Sequence, residues 1–158
     1  MTAYDLQRIS DILEIRDLCA RYNYYADQGD GEAYAALYVE DGEFEVEGHG
    51  VYRGPAELAA VAATAAKRTV HVTADPIIEI DGDTATQRSR LISCMRTPDA
   101  SRNEFVNTGY YVDTLRRTPR GWRIVRRKAE LDLTAGQVLA KNNTIDALNE
   151  IKTEVGAH

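Results

Sequence analysis

The sequence has few of the residues that build metal centres, disulfide frameworks or membrane spans. Its 158 residues include only two cysteines and three histidines. Cys19 and Cys94 belong to no CxxC motif or Cys/His cluster, so both are expected to be small buried hydrophobic residues. No apolar run reaches the roughly 20 residues that cross a bilayer. The N-terminal MTAYDLQRIS also lacks the basic-then-apolar order of a signal peptide, which predicts a soluble cytoplasmic protein with no membrane partner.

An excess of positive charge is also absent. Asp and Glu number 25 against 19 Lys and Arg, which gives a formal net charge of −6. This balance removes the electrostatic attraction that binding to a phosphate backbone requires, so nucleic acid is not an expected partner. No P-loop, GxGxxG, GxSxG or metal triad occurs, and we therefore expect neither a cofactor nor a metal. The length fits one domain.

The aromatic residues are dominated by tyrosine. Nine Tyr stand against two Phe and one Trp, and three of the nine fall between Tyr22 and Tyr25. Tyrosine suits a cavity wall that must be apolar and still carry a hydroxyl, although it is also common in strands. The composition therefore indicates a pocket whose apolar walls carry tyrosine hydroxyl groups.

The first third of the chain has helical spacing. Apolar residues recur every three or four positions between Tyr4 and about Gln28, which is typical of an amphipathic helix. A second helix is predicted over Glu32 to Tyr38, followed by a strand over Glu43 to Glu47. After Gly54-Pro55, the alanine-rich segment from Ala56 to Ala66 predicts a third helix.

In the rest of the domain, apolar and polar residues alternate as they do in β-strands. Four strands are predicted at about 69–80, 84–96, 103–116 and 121–133, joined by turn-forming segments as in an antiparallel meander. Helices followed by sheet predict an α+β domain over residues 1–134, with helices covering a curved sheet to form a cone whose mouth and interior hold the ligand site. Residues 135–158 show helical spacing in Val138, Leu139, Ile145, Leu148 and Ile151, and this tail is expected to pack on the domain or on a neighbouring subunit.

Two ionisable residues stand in unusual settings. His71 lies in the β-branched stretch Thr-Val-His-Val-Thr, where it is either a structural histidine or a functional one. Asp27 follows a stretch of packing residues, where an acid is costly unless it is paired. The alternative for Asp27 is an ordinary turn residue before Gly29.

Several motifs resemble a known superfamily. A long first helix ends in Tyr-Ala-Asp, and it is followed by Tyr-x-x-Asp-Gly-x-Phe at 38–44, Glu-Gly-x-Gly-x-Tyr-x-Gly-Pro at 47–55, a strand opening on His71, and Gly-Trp-Arg-Ile-Val at 121–125. Residues 5–133 resemble the nuclear transport factor 2-like superfamily, and within it the SnoaL-like branch that includes scytalone dehydratase, bile-acid 7α-dehydratase and hexachlorocyclohexane dehydrochlorinase. The resemblance implies a cone-shaped α+β barrel.

The resemblance also implies roles for four residues. His71 would be a general base held by Asp27. Tyr22 stands at the place of a proton-donating group, and Arg127 at the place of a residue that stabilises a departing anion. Tyr22 could equally be a core aromatic of its helix. Arg127 lies in a basic run, but it shares the alternation of Val125, which favours an inward position.

Five further residues are candidates for substrate contacts. Tyr24, Tyr25, Tyr110 and Tyr111 are possible pocket walls, and His49 is expected at a pocket rim or on the surface. The second histidine, serine and asparagine of scytalone dehydratase are not reproduced in the stretch Asn107 to Tyr111, and its tyrosine before the aspartate is Ala26 here. The substrate of that enzyme is therefore not implied.

Together these features predict a cofactor-independent lyase that acts on a small cyclic, mostly apolar substrate. The same pair of residues would serve an isomerase or a polyketide cyclase. A non-catalytic ligand-binding or scaffold domain is the alternative from another class. Relatives in this branch lead us to expect a homo-oligomer, either a trimer or a dimer.

Overall fold

A computed structural model describes residues 5–66, 68–97, 99 and 101–132 of the chain, with residues 103, 105 and 106 by backbone alone. The tail predicted at 135–158 and the predicted strand end at residue 133 lie outside the described residues.

Three helices come from the first part of the chain. Helix α1 (Leu6–Gln28) begins where the Asp5 carboxylate accepts a hydrogen bond from the Arg8 amide at 2.7 Å, and it ends at Gly29 in the left-handed region. Helices α2 (Gly31–Ala35) and α3 (Gly54–Ala65) follow. Helix α2 is shorter than predicted, because the chain already extends into a strand at Tyr38. No helix in the described ranges is long and apolar enough to cross a membrane.

The strands form one mixed sheet. They are β1 (Tyr38–Val46), β2 (Gly50–Arg53), β3 (Thr69–Thr73), β4 (Ile77–Asp81), β5 (Thr84–Arg96), β6 (Asn103–Thr118) and β7 (Gly121–Leu131). Their order is β2-β1-β7-β6-β5-β3, with β4 also paired to β5. The predicted α+β class is confirmed, and the helices pack on one face of a curved sheet that does not close among the described strands. We call the face toward the helices the inner face.

The structure differs from the predicted meander in two respects. The strand predicted over 69–80 is divided into β3 and β4, since Pro76 lacks an amide donor and restricts the residue before it. In addition, β1 pairs with β7 in parallel, whereas all other described pairs are antiparallel. Strand β2 was not predicted.

The core lies between the inner face and helices α1 and α3. Its largest fully buried side chains include Trp122, Tyr22, Tyr34 and Tyr38. Helix α3 contributes Leu58 and the small Ala62, both at 0% exposure. Tyrosines therefore supply much of the apolar interior, and their hydroxyls enter the core with them.

Candidate active site

Asp27 and His71 are in direct contact. The Asp27 Oδ1 atom lies 2.7 Å from Nδ1 of His71, and its Oδ2 atom accepts the His71 backbone N–H at 3.1 Å. The two side chains are 20% and 17% exposed, so both are mostly shielded from water. Since a carboxylate accepts hydrogen bonds, the contact places a proton on Nδ1 and leaves Nε2 as the basic nitrogen. One carboxylate thus fixes both the backbone and the ring of His71.

Polar contacts join α1 to β3 and to the residues that follow it, on both sides of this pair. Four residues before Asp27, Asn23 donates its amide to Oγ1 of Thr73 at 2.8 Å. Further along, Arg16 pairs with Asp75 at 2.7 Å. Residues four apart lie on one side of a helix, and residues two apart lie on one face of a strand. Asn23 and Asp27 therefore lie on the side of α1 that meets Thr73 and His71, which share one face of β3.

Two residues that the sequence reasoning did not assign lie in the same row as His71. Ser93 of β5 is directly opposite His71, and Asn107 of β6 is opposite Ser93. The Ser93 hydroxyl donates to the Asn107 backbone carbonyl at 3.5 Å, and Asn107 is buried. Inward alternation along β5 could have indicated Ser93, whereas its pairing with Asn107 depends on the register of the sheet.

Arg127 faces the interior and is fully buried. Its Nε atom donates to Oδ1 of Asp113 at 2.8 Å, and its Nη2 atom donates to Oδ2 at 2.5 Å. Gln87 also donates its side-chain amide to Asp113. Burial opposes the guanidinium charge, but the attraction of Asp113 outweighs it and holds the pKa of Arg127 above its usual range. Nη1 has no hydrogen-bond partner within the described part of the chain.

Two tyrosine rings enclose the Arg127 guanidinium. Its central carbon lies 3.8 Å from the ring centroid of Tyr22 and 4.4 Å from that of Tyr111. The hydroxyl of Tyr34 donates to that of Tyr22 at 2.8 Å, and it lies 3.5 Å from the hydroxyl of Tyr38. Burial raises the pKa of Tyr22 well above its usual value and that of Tyr111 to about 12, so both rings remain neutral phenols.

An open, mostly apolar groove of about 650 Å³ lies between α3 and strands β1 and β2. Its lining includes Phe44, Val46 and Val61 together with the polar Glu57 and Thr64, and none of the four proposed catalytic residues is among the described residues that line it. The ring of Phe44 is 6.3 Å from that of Tyr22, so this groove adjoins the aromatic cluster around Arg127.

Other candidate residues take different positions. Tyr24 is 62% exposed, and Tyr110 lies on the outer face beneath Arg88 and Arg90, because its alternation is opposite to that of Tyr111. Their predicted places as pocket walls are therefore wrong. Tyr25 is half-buried against the core beside Tyr24, and its hydroxyl accepts a hydrogen bond from Arg21 at 3.4 Å on the surface.

The remaining predicted positions concern His49 and the cysteines. His49 is exposed between β1 and β2, which agrees with the surface alternative. Cys19 is buried, and burial raises the pKa of its thiol to about 11. Cys94 is only half-buried, because it lies near the edge of the outer face opposite Val70. In the described ranges no three His, Cys, Asp or Glu side chains are grouped to hold a metal ion.

Comparison with known proteins identifies the family. The model of the SnoaL-like domain matches residues 7–128. The chain belongs to this family. No curated protein matches the sequence.

Solved structures support the SnoaL-like assignment. Rv3472 of Mycobacterium tuberculosis, of unknown function, is 34% identical with a TM-score of 0.75, covering 87% of this chain and 80% of that one. An NTF2-like protein with a cystatin-like fold from Novosphingobium aromaticivorans is 33% identical with a TM-score of 0.71, covering 89% and 99%. A hexachlorocyclohexane dehydrochlorinase, LinA type 2, shares the fold at 18% identity and a TM-score of 0.72, covering 82% and 90%. The SnoaL-like fold therefore hosts enzymes as well as proteins of unknown function.

Proposed function

We propose that this SnoaL-like protein is a cofactor-independent lyase that eliminates water or a related leaving group from a small cyclic, mostly apolar substrate. The observation that carries the proposal is the double contact of the Asp27 carboxylate with the ring and the backbone of His71. A histidine held in one orientation and one tautomer, with a carboxylate behind it, has the arrangement of a general base.

In the proposed reaction, Nε2 of His71 removes a proton from carbon. The electron pair of the broken C–H bond forms a carbon–carbon double bond while the bond to the leaving group breaks. Asp27 stabilises the imidazolium that results, because its carboxylate already accepts the Nδ1 proton. For a departing hydroxide, protonation by the imidazolium gives water and restores neutral His71. The residues thus return to their starting state without an external reagent.

Arg127 and Tyr22 would stabilise the charge that develops on oxygen. Nη1 of Arg127, which has no partner among the described residues, offers a cationic donor, and Tyr22 offers a neutral phenol beside it. Donors fixed before the reaction, in a site sheltered from water, stabilise developing charge without reorganisation. The side-chain oxygens of Gln87 and Ser89 are also buried and have no partner among the described residues. Because an amide oxygen only accepts hydrogen bonds, these atoms favour a substrate that carries a hydroxyl donor on an otherwise apolar ring.

The mostly apolar groove, which reaches the aromatic cluster through Phe44, has a size that suits a ring-sized ligand, since pockets of about 300–1,000 Å³ bind small organic molecules. Assembly into a homo-oligomer, either a trimer or a dimer, is part of the proposal.

The test uses a panel of cyclic β-hydroxyketones incubated with the full chain in D₂O. Proton NMR reports both exchange of the α-hydrogens and formation of the unsaturated product. We expect the His71→Gln variant to lose activity by about 10²- to 10⁴-fold while its circular dichroism stays unchanged. His49→Gln is the matched control, because this histidine is exposed and should leave activity intact.

Three outcomes would contradict the proposal. Equal activity of His71→Gln and the parent chain would exclude His71 as the general base. A product with the mass of its substrate would indicate an isomerase or cyclase rather than a lyase. Binding of panel compounds without exchange or turnover would favour a ligand-binding domain.

A further inference from the structure

Three buried polar side chains form one row across the inner face of the sheet. Gln87 of β5 is directly opposite Asp113 of β6, which is directly opposite Arg127 of β7. All three are at most 2% exposed. The Oδ2 atom of Asp113 accepts a hydrogen bond from each of its two neighbours in the row. One carboxylate therefore holds both Gln87 and Arg127.

This carboxylate fixes the orientation of the Gln87 amide. Because a carboxylate only accepts hydrogen bonds, the NH₂ group of Gln87 faces Asp113, and the amide oxygen Oε1 points away from it. The same carboxylate engages Nε and Nη2 of Arg127. Within the described ranges, Oε1 of Gln87 and Nη1 of Arg127 have no hydrogen-bond partner. The row thus presents one buried acceptor and one buried cationic donor.

The next row on the inner face adds a hydroxyl group. Ser89 follows Gln87 by two residues on the same face of β5 and is 2% exposed. Its Oγ atom also lacks a partner among the residues that the structure describes. Ser89 is directly opposite Tyr111, whose ring centroid lies 4.4 Å from the guanidinium carbon of Arg127. We call the unpaired atoms of Gln87, Ser89 and Arg127 the inner subsite.

A hydroxyl group on a ligand matches the inner subsite. It can donate its hydrogen to Oε1 of Gln87 and accept a hydrogen bond from Nη1 of Arg127. A ketone, an ether or a carbon-bound halogen has no hydrogen to donate, and a carboxylate would bring negative charge against the amide oxygen. A site built to bind a hydroxyl discriminates against an analogue without it, because the buried polar groups of the site are then left unpaired.

Helix α1 gives the spacing between the inner subsite and His71. The ring centroid of Tyr22 lies 3.8 Å from the guanidinium carbon of Arg127, and Asp27 contacts His71. Tyr22 and Asp27 are five residues apart, which is about 8 Å along the helix axis. A ligand that reaches both places carries its hydroxyl about 8 Å from the carbon beside His71, a separation that requires two rings rather than one.

We propose that Gln87 determines substrate specificity by selecting a hydroxyl group on the substrate ring that lies farther from His71. The selected substrate class is a two-ring, mostly apolar compound with a hydroxyl remote from the reacting carbon. The position of that carbon beside His71 rests on the proposed function. Recognition of the hydroxyl takes place in binding, before any covalent bond breaks.

A matched pair of ketones tests this selection. Cyclohexanone that carries a para-hydroxyphenyl group opposite the ketone is compared with the same ketone carrying a plain phenyl group, so the two ligands differ by one remote hydroxyl. Titration calorimetry with the full chain measures both affinities. We expect the hydroxylated ketone to bind about ten-fold or more tightly. Equal affinities, or no binding of either ketone, would overturn the proposal.

Variants assign the selection to Gln87. Gln87→Met keeps a similar side-chain length without the acceptor oxygen, and it should reduce the preference to about two-fold or less with an unchanged circular dichroism spectrum. Gln28→Met is the matched control, because Gln28 is exposed at the end of α1, and it should retain the preference. A full preference in folded Gln87→Met would overturn the assignment. If Gln87→Met does not fold, Ser89→Ala replaces it, and an unchanged preference there would overturn the subsite.

Binding and turnover can fail separately. The same titrations with His71→Gln measure hydroxyl recognition without the proposed base, and the preference should persist. Selective binding by a parent chain that neither exchanges α-hydrogens nor forms an unsaturated product would contradict the proposed lyase and support the recognition by Gln87. Turnover of both ring systems without selection would support the base and overturn the role of Gln87.

Discussion

Asp113 and Arg127 lie directly opposite each other on β6 and β7 and form an ion pair whose side chains are 0% and 1% exposed. A charge in such a place depends on its partner, because it has no access to water. The pair therefore links the stability of the sheet to the proposed site.

We expect Asp113→Asn to lower the free energy of unfolding by about 3–5 kcal/mol, since it leaves the Arg127 charge buried and unpaired. Asp41→Asn is the control, because Asp41 faces Arg116 at 4.0 Å on the surface, and it should cost less than about 1 kcal/mol. Urea denaturation measures both. Similar losses in the two variants would show that Arg127 keeps its charge satisfied without Asp113.

The hydroxyl contact between Tyr34 and Tyr22 gives a second prediction. Tyr34→Phe removes a buried 2.8 Å hydrogen bond and should cost about 1 kcal/mol. Tyr38→Phe removes only a 3.5 Å contact and should cost less. Thermal and urea unfolding compare the stability of the two variants. A greater loss of stability in Tyr38→Phe would mean that the main hydrogen bond of Tyr34 is with Tyr38 rather than with Tyr22.

Asp11 should control part of the acid stability. Hydrogen bonds from Arg117 and from the Trp122 indole lower the pKa of Asp11 to about 2 from 3.8. A lowered folded-state pKa stabilises the fold above pH about 4, and this contribution is lost as the pH falls toward 2. Asp11→Asn should therefore cost about 2 kcal/mol near neutral pH and progressively less below pH 4. Urea unfolding across this range measures the difference, and a cost independent of pH would contradict the assignment.

Gly109 allows close approach of β6 and β7. A Cβ atom at this position would lie 2.1 Å from the backbone oxygen of Glu130. Gly109→Ala should therefore cost about 1–3 kcal/mol by forcing the strands apart. Thr114→Ala, on the exposed face of the same strand, should change stability by less than about 0.5 kcal/mol. Comparable losses in the two variants would mean that the strands adjust without strain.

Local pattern was enough to predict most elements. The apolar spacing of the first helix and the alternation over 84–96 correspond closely to α1 and β5, because both patterns reflect burial on one side of a regular element. The inward position of Arg127 also followed from alternation. The proximity of Asp27 to His71 followed from the family resemblance, since 44 residues separate them.

The pairing and register of strands that are distant in the sequence could not be predicted from the local pattern. The parallel pairing of β1 with β7 and the row from His71 to Asn107 both depend on sheet register. An irregularity between Ser93 and Cys94 shifts that register, which simple alternation does not reveal. Strand β2 was missed because Gly48 and Gly50 mark a turn and its residues are mostly exposed.

Because the sheet does not close among the described strands, the packing of the helices helps to set the width of the interior. A closed barrel fixes its diameter by strand number and stagger. Here β2 and β3 are the ends of the hydrogen-bonded path, and α3 packs over the inner face through Leu58 and Ala62. The α3 residues that line the groove, such as Ala60 and Val61, can therefore set its volume while every strand keeps its register. In evolutionary terms, a descendant of this protein can reshape the groove through α3 without altering its sheet.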